Sequence, residues 1–212
     1  MSCARQSWGH WAVWLALGLA PFGSAGPSWW ADAEVLAALQ RGGHVIYLRH
    51  ADTGTPTPEP PNFDLARCET QRNLNDKGRA EASEIGRQFK RLRIPVGPVL
   101  SSQFCRCRET VQIAFGGYEI ATTLTGVSRA PEFAEARRRS AEGLRKLLST
   151  LPPAGQNTVL VSHGYNLIDL EGLYLSTQGE AAVYRPDGSG GYALVARVLP
   201  GDWAQWSLPA GQ

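Results

Sequence analysis

The feature that most constrains this chain is the alternation of short apolar runs with amphipathic helical stretches. Three runs have the composition of buried strands: 44–48, 96–100 and 158–162. Apolar residues at helical spacing predict helices around them: 31–40, 75–92 and 132–151. Strands that alternate with helices predict a three-layer α/β/α sandwich with a mostly parallel central sheet.

The end of the chain departs from this alternation. Residues 181–184 and 192–198 have strand composition and flank a turn-type segment, 185–191, that contains one proline and three glycines. This pattern predicts antiparallel edge strands at the C-terminal end of the sheet. Neither a repeat nor a linker divides the remainder, so we expect residues 30–212 to form a single domain.

The N-terminal residues have the layout of a signal peptide. Arg5 precedes an apolar run at 11–22, and small residues follow at 23–26. The run spans about 12 residues, whereas a membrane-spanning helix needs about 20. We therefore predict a signal peptide at 1–25 and an exported protein, periplasmic or secreted, with no stable membrane insertion after cleavage. A retained membrane anchor is the alternative.

The charge of the chain points to local rather than global anion recognition. The chain has 21 Lys and Arg against 19 Asp and Glu, a formal net charge of +2. The basic residues are dispersed, so we expect no nucleic-acid partner.

Basic and imidazole side chains follow each of the three buried runs. Arg49 and His50 come directly after the first run, and His163 follows the third. After the second run, Ser101 and Ser102 are expected to cap a helix that carries Arg106. Because ligands bind beyond the carboxyl ends of parallel strands, these motifs predict a cationic pocket with two histidines.

Such a pocket suits phosphoryl transfer. Arginines position a phosphoryl group and stabilise its charge through forked donors. A histidine beside these cations has a lowered pKa and keeps a free lone pair, which makes His50 the candidate nucleophile.

The same residues resemble a known family. Residues 48–54 (LRHADTG) are similar to the R-H-G/A-x-T signature of the histidine phosphatase superfamily, the phosphoglycerate-mutase-like group. Residues 101–110 (SSQFCRCRET) resemble its S-S-x-x-x-R-x-x-x-T segment, and 161–164 (VSHG) its second-histidine motif. The resemblance extends over about 44–198, nearly the whole mature chain.

The resemblance implies a phosphomonoester hydrolase that forms a covalent phosphohistidine at His50. It makes Arg49, Arg106 and His163 a clamp on the phosphoryl group of a small phosphorylated substrate, with Arg72 in 71–74 (QRNL) as a further ligand. We expect no cofactor and metal-independent catalysis, since no Asp, Glu or Cys lies at metal-ligand spacing from the histidines. A mutase-like phosphotransferase and a non-catalytic phospholigand-binding module are the alternatives.

The general acid is not fixed by a motif. Glu180 in 178–183 (QGEAAV) resembles a Gly-Glu pair of small exported members of the family and is the favoured candidate, with Asp52 and Glu132 as alternatives.

Removal of the signal peptide leaves three cysteines. Cys68 and Cys105 lie beside the segments of Arg72 and Arg106, so we expect a disulfide between them, with Cys107 as the competitor. Two other residues are expected to have structural roles: Arg108, about 200° around the helix from Arg106, and His44 at the start of its strand.

Overall fold

The computed structural model describes residues 32–54 and 58–208. Its helices are α1 (Asp32–Arg41), α2 (Asp76–Arg91), α3 (Cys105–Phe115), α4 (Ala134–Ser149), α5 (Ile168–Glu171) and α6 (Asp202–Gln205). Its strands are β1 (Val45–Arg49), β2 (Val96–Ser101), β3 (Glu119–Ile120), β4 (Asn157–Ser162), β5 (Ala181–Pro186) and β6 (Tyr192–Val198). Turns of 3-10 helix lie at Cys68–Thr70, Thr122–Leu124 and Pro131–Phe133.

These strands form one six-stranded sheet in the order β3-β2-β4-β1-β5-β6. The first four are parallel to one another. Strand β5 is antiparallel to β1, and β6 is antiparallel to β5. The predicted sheet, mostly parallel with antiparallel C-terminal edge strands, is confirmed.

The sheet buries both of its faces, because successive residues of a strand point to opposite sides. Ile46 and Leu48 of β1 belong to a core built with α1, α2, α3 and α6. Val45 and Tyr47 belong to a second core, built with α4. Helices therefore cover both faces, which gives the three predicted layers.

The start of α3 differs from the sequence expectation. Ser101 still belongs to β2, and the residue that precedes the helix is Phe104, whose side chain makes no capping bond. The Ser102 hydroxyl instead accepts from the Phe104 amide at 3.3 Å. A turn between strand and helix is needed to bring Arg106 over the strand ends, and Ser102 stabilises that turn.

Within the described residues, no helix is both long enough and apolar enough to cross a membrane. The predicted signal peptide, 1–25, lies outside these residues.

Candidate active site

Three parallel strands end at one rim of the sheet, where the three sequence motifs follow them. In the sheet register Arg49 of β1 lies opposite Ser162 of β4, and Ser101 of β2 lies opposite Val161. Beyond the strands, the His50 amide donates to the Ser162 carbonyl at 3.0 Å. The backbone ladder itself therefore brings the motifs together, as the sequence predicts.

His50 is buried, and its ring is oriented by the backbone. Its Nδ1 lies 2.8 Å from the Ala51 carbonyl oxygen. Because a carbonyl only accepts, Nδ1 carries the ring proton and the lone pair lies on Nε2. Burial, and next the positive charge of Arg106, hold the pKa of His50 well below its ordinary value. At neutral pH His50 is thus an uncharged imidazole with a lone pair on Nε2.

His163 lies beside His50, with 5.6 Å between the ring centroids. Its Nδ1 accepts from Nη2 of Arg106 at 3.3 Å, and its Nε2 lies 2.9 Å from the Ser102 hydroxyl. The Tyr47 hydroxyl donates to the His163 carbonyl at 2.7 Å. Burial, and next the charge of Arg106, lower the pKa of His163 far below its ordinary value. Both histidines are therefore neutral at neutral pH.

Arg49 reaches the pocket from the end of β1 and is held by backbone carbonyls. Its Nη1 donates to the carbonyls of Leu175 at 2.8 Å and Ser176 at 2.7 Å. Gly164 leaves the space that this arrangement needs, because a Cβ there would lie 2.3 Å from the Leu175 oxygen and 3.3 Å from Cδ of Arg49. The glycine after His163 thus has a packing role.

Arg106 lies in the first turn of α3 and is buried. Its guanidinium lies over the Phe104 ring, 4.2 Å from the centroid. Nη1 donates to the Glu59 carboxylate at 2.5 Å and to the Arg72 carbonyl at 3.4 Å. Arg106 therefore contacts His163 through one terminal nitrogen and the Arg72 segment through the other.

The Nε atoms of Arg49 and Arg106, unpaired among the described residues, indicate that this pocket binds an anion. Both are buried, and neither has a hydrogen-bond partner in the part of the chain that the structure describes. Buried N–H groups are almost always paired, and a guanidinium can only donate. A phosphoryl group beside His50 would supply the missing acceptors, and its charge suits the two arginines.

A disulfide joins the two arginine-bearing segments. Cys68 and Cys105 are bonded, with their Cα atoms 5.6 Å apart, as predicted. Next to the bridge, the Gln71 side-chain oxygen accepts from the Cys105 amide at 2.9 Å. These links hold the segment of Arg72 against the start of α3.

The structure does not favour Glu180 as the general acid. Its carboxylate is fully buried, with Oε1 accepting from Nε of Arg197 at 2.8 Å and Oε2 accepting from the Thr177 amide at 3.1 Å. Both oxygens are thus engaged by donors that hold β5 against β6 and the loop before it. Arg197 and the Thr177 amide are thus the partners of this carboxylate, and the role of Glu180 as the acid stays a prediction from the sequence.

The two alternative acids are no better placed. Asp52 accepts from Lys77 and from the Asn75 side chain, both at 2.9 Å. Burial acts to raise the pKa of Asp52, but the hydrogen bond from Lys77 and its other donors outweigh burial and lower it. Asp52 therefore stays ionised, while Glu132 is exposed in the 3-10 turn before α4.

Two contributors to the site were not singled out from the sequence. Thr110 accepts from the Ala51 amide at 3.1 Å and donates to the Arg106 carbonyl at 2.7 Å, so it ties α3 to the backbone after His50. Its position in the SSQFCRCRET segment was an available signal. Glu59 lies among prolines and belongs to no motif, so no local signal marked it.

Three further residues, His44, Arg108 and Cys107, have structural contacts in this part of the molecule. His44 contacts the Gly42 carbonyl, and Arg108 donates to Tyr118, in agreement with the structural roles expected for both. Cys107 is a buried thiol, and burial raises its pKa to about 12.

Across residues 32–54 and 58–208, no three His, Cys, Asp or Glu side chains are grouped so as to hold a metal ion.

Comparison with known proteins supports the resemblance seen in the sequence. Residues 45–126 match the model of the histidine phosphatase superfamily (branch 1). No curated protein matches the chain.

Several solved structures share the fold. The protein histidine phosphatase SixA complexed with tungstate has 18% identity and a TM-score of 0.51, with 75% of this chain and 98% of SixA covered. YhfR of Bacillus stearothermophilus has 16% identity and a TM-score of 0.51, covering 72% and 95%. Phosphoserine phosphatase of Entamoeba histolytica, in complex with 3-phosphoglyceric acid, has 15% identity and a TM-score of 0.50, covering 73% and 95%. Residues 45–126 are therefore similar to the histidine phosphatase superfamily (branch 1), and the chain shares the fold of these solved structures.

Proposed function

We propose that this protein is a phosphomonoester hydrolase that carries the phosphoryl group of a small substrate on His50. The observation that carries the proposal is the Nε2 lone pair of a neutral, buried His50 beside two arginines whose Nε donors lack partners among the described residues. Two of the structures that share the fold, SixA and the Entamoeba enzyme, are named as phosphatases. Their activity accords with the chemistry of this pocket.

The reaction has two steps. Nε2 of His50 bonds to phosphorus while the bond from phosphorus to the ester oxygen breaks, and Arg49, Arg106 and His163 stabilise the charge on the phosphoryl oxygens. Water then attacks phosphorus, the nitrogen–phosphorus bond breaks, and inorganic phosphate leaves. Arg72 is a further ligand of the phosphoryl group in this scheme. In this scheme the residues named carry out both steps without a cofactor.

Trapping of the intermediate tests this proposal. Wild-type protein mixed with a ³²P-labelled aryl phosphate and quenched in alkali should carry acid-labile label that maps to His50. His50→Ala should carry none and should lose turnover, whereas Arg108→Ala, outside the pocket, should behave as wild type.

Other outcomes identify the alternatives. Equal turnover by His50→Ala and wild type would rule out the phosphohistidine mechanism. Binding of the phosphate ester without label or turnover would indicate a non-catalytic module. Transfer of the label to a hydroxyl of an added polyol phosphate, rather than to water, would indicate a mutase.

We also propose that the protein is exported. The support comes from the signal-type pattern of residues 1–25 and from the Cys68–Cys105 disulfide, since disulfides persist in oxidising compartments. Mass mapping of the exported protein should find a new N-terminus near residue 26, with Cys68 protected from alkylation until a reductant is added. An intact N-terminus in the membrane fraction would indicate a retained anchor.

A further inference from the structure

The proposed reaction needs a proton donor that the preceding residues do not supply. An alcohol leaves slowly as an alkoxide, and a donor must lie within hydrogen-bond reach of the departing oxygen. Glu180 is bonded to Arg197, Asp52 is held ionised by Lys77, and Glu132 is exposed in a turn. The donor must therefore be sought among side chains that contact the pocket itself.

Glu59 contacts the phosphate-binding groups directly. Its Oε1 accepts from Nη1 of Arg106 at 2.5 Å, and its Oε2 accepts from the backbone amide of Arg72 at 3.1 Å. Both donors belong to residues that we expect to bind phosphoryl oxygens. The Glu59 carboxylate therefore lies where an incoming phosphoryl group will compete for the same N–H groups.

The surroundings of Glu59 allow a phosphoryl group to replace its two hydrogen bonds while its carboxyl group stays next to that phosphoryl group. Its side chain is 18% exposed, against 6% for Arg106 and 1% for Glu180. A phosphoryl oxygen can replace each of its two contacts, because both are N–H donors. In-line displacement puts the leaving oxygen opposite the attacking nitrogen. His50 is buried, so we expect that oxygen to face the more exposed side of the pocket, and Glu59 is more exposed than the arginine that it contacts.

We propose that Glu59 is a catalytic residue, the acid that protonates the leaving oxygen and the base that activates water in the second step. This inference rests on the proposed phosphohistidine mechanism. It assigns the role to the loop between β1 and α2 rather than to Glu180 at the start of the C-terminal hairpin.

The Glu59 carboxyl group donates one proton in the first step and recovers one in the second, so the two steps balance. The proton enters with the substrate, because the monoanion of a phosphate monoester carries one proton and can pass it to the Glu59 carboxylate beside Arg106. That proton passes to the ester oxygen as the nitrogen–phosphorus bond forms, and a neutral alcohol departs. The Glu59 carboxylate then takes a proton from the water that attacks phosphorus, and His50 regains its lone pair.

Leaving-group dependence tests the role of Glu59. For Glu59→Gln we expect kcat on an alkyl phosphate to fall about 100-fold or more, the contribution typical of general acid catalysis. On p-nitrophenyl phosphate, whose leaving group needs little protonation, phosphoenzyme formation should change less than about threefold. Glu59→Asp keeps a carboxyl group and should recover part of the alkyl phosphate activity. Glu69→Gln, which removes an exposed carboxylate paired with Arg67, is the matched control and should match wild type.

The outcomes separate this inference from the proposed function. An equal loss on both substrates would reassign Glu59 to positioning of Arg106. Faster turnover of both substrates by Glu59→Gln would mean that Glu59 only competes with substrate for Arg106. Either result overturns the inference. Phosphoenzyme formed by Glu59→Gln from the aryl phosphate shows that the variant is folded. Failure of wild type to form any phosphoenzyme would instead remove the proposed function.

Discussion

The ends of β1 and β4 carry two histidines in nearly the same environment but with different hydrogen bonds. Both are buried, and burial and Arg106 lower the pKa of each. Nδ1 of His50 faces the Ala51 carbonyl, which leaves the Nε2 lone pair for attack. Nδ1 of His163 accepts from Arg106, and its Nε2 meets Ser102. The partners of the ring nitrogens, rather than burial or charge, are the reason why we propose His50 as the nucleophile and His163 as a supporting group.

Replacement of each histidine by asparagine tests this distinction most directly. His50→Asn should lower kcat/KM by at least about 10⁴-fold, because the nucleophile is lost. His163→Asn should lower it by about 10²–10³-fold, as for the loss of one charge-stabilising group, and should still form phosphoenzyme. Steady-state kinetics with alkaline-quench labelling checks both, and label found on His163 would reverse the assignment.

Arg106 acts on both histidines, and a pair of substitutions separates its charge from its shape. Both Arg106→Gln and Arg106→Lys should lower kcat/KM by about 100-fold through loss of the forked donor. Removal of the charge in Arg106→Gln should raise the pKa of both histidines, so His50 is protonated at higher pH.

The acid limb of the kcat/KM profile should therefore move to higher pH in Arg106→Gln. In Arg106→Lys, which keeps a cation, the limb should stay near that of wild type. A limb at the same pH in all three proteins would show that Arg106 does not tune His50.

Ser102→Ala removes a partner of His163 and a contact in the turn before α3, but it leaves the hydrogen bond of the His50 ring in place. The Nε2–H group of His163 would lose its partner, at a cost of about 1–3 kcal/mol in the free energy of unfolding. The rate should fall by only about fivefold, equivalent to about 1 kcal/mol, because the His50 tautomer is unchanged. Chemical denaturation and kinetics measure the two effects, with Ser149→Ala on α4 as the control. A loss as large as that of His50→Asn would contradict the supporting role of His163.

The smallest effect is on the pH dependence of stability. The folded pKa of both histidines lies below the unfolded value, so the unfolded chain binds more protons as the pH falls through about 6.5. This contribution to stability is complete above that pH and is lost on acidification.

We expect Tm to fall by a few degrees between about pH 7.5 and about pH 5.5, and to fall less in His163→Asn. Calorimetry at several pH values measures both slopes. Parallel slopes in the two proteins would mean that His163 is not held neutral by the fold.

The fold and the centre of the pocket followed from local patterns. Apolar runs separated by helical stretches require parallel strands, and the carboxyl ends of such strands share an edge. Arg49 is the last residue of β1, His50 and His163 directly follow β1 and β4, and Arg106 lies in the first turn of the helix after β2. Their convergence could be predicted because backbone pairing enforces it whatever the side chains are.

The roles of the carboxylates depended on contacts between distant parts of the chain. Glu180 follows a recognisable Gly-Glu pattern, but Arg197 on the neighbouring strand engages its carboxylate. Glu59 follows no pattern, yet the packing of its loop sets it against Arg106, 47 residues away in sequence. Sequence motifs predict which residue types lie at the ends of strands. They do not predict which distant side chain each of these residues contacts.

By itself, therefore, the sequence determined the three-layer fold and the strand-end pocket, and it favoured Cys68 and Cys105 as the disulfide partners. Only the tertiary structure decided which nitrogen of His50 keeps its lone pair and which carboxylate contacts Arg106. The physical reason is that hydrogen-bond partners and local charge act over a few ångströms, a distance that folding sets between segments far apart in the chain.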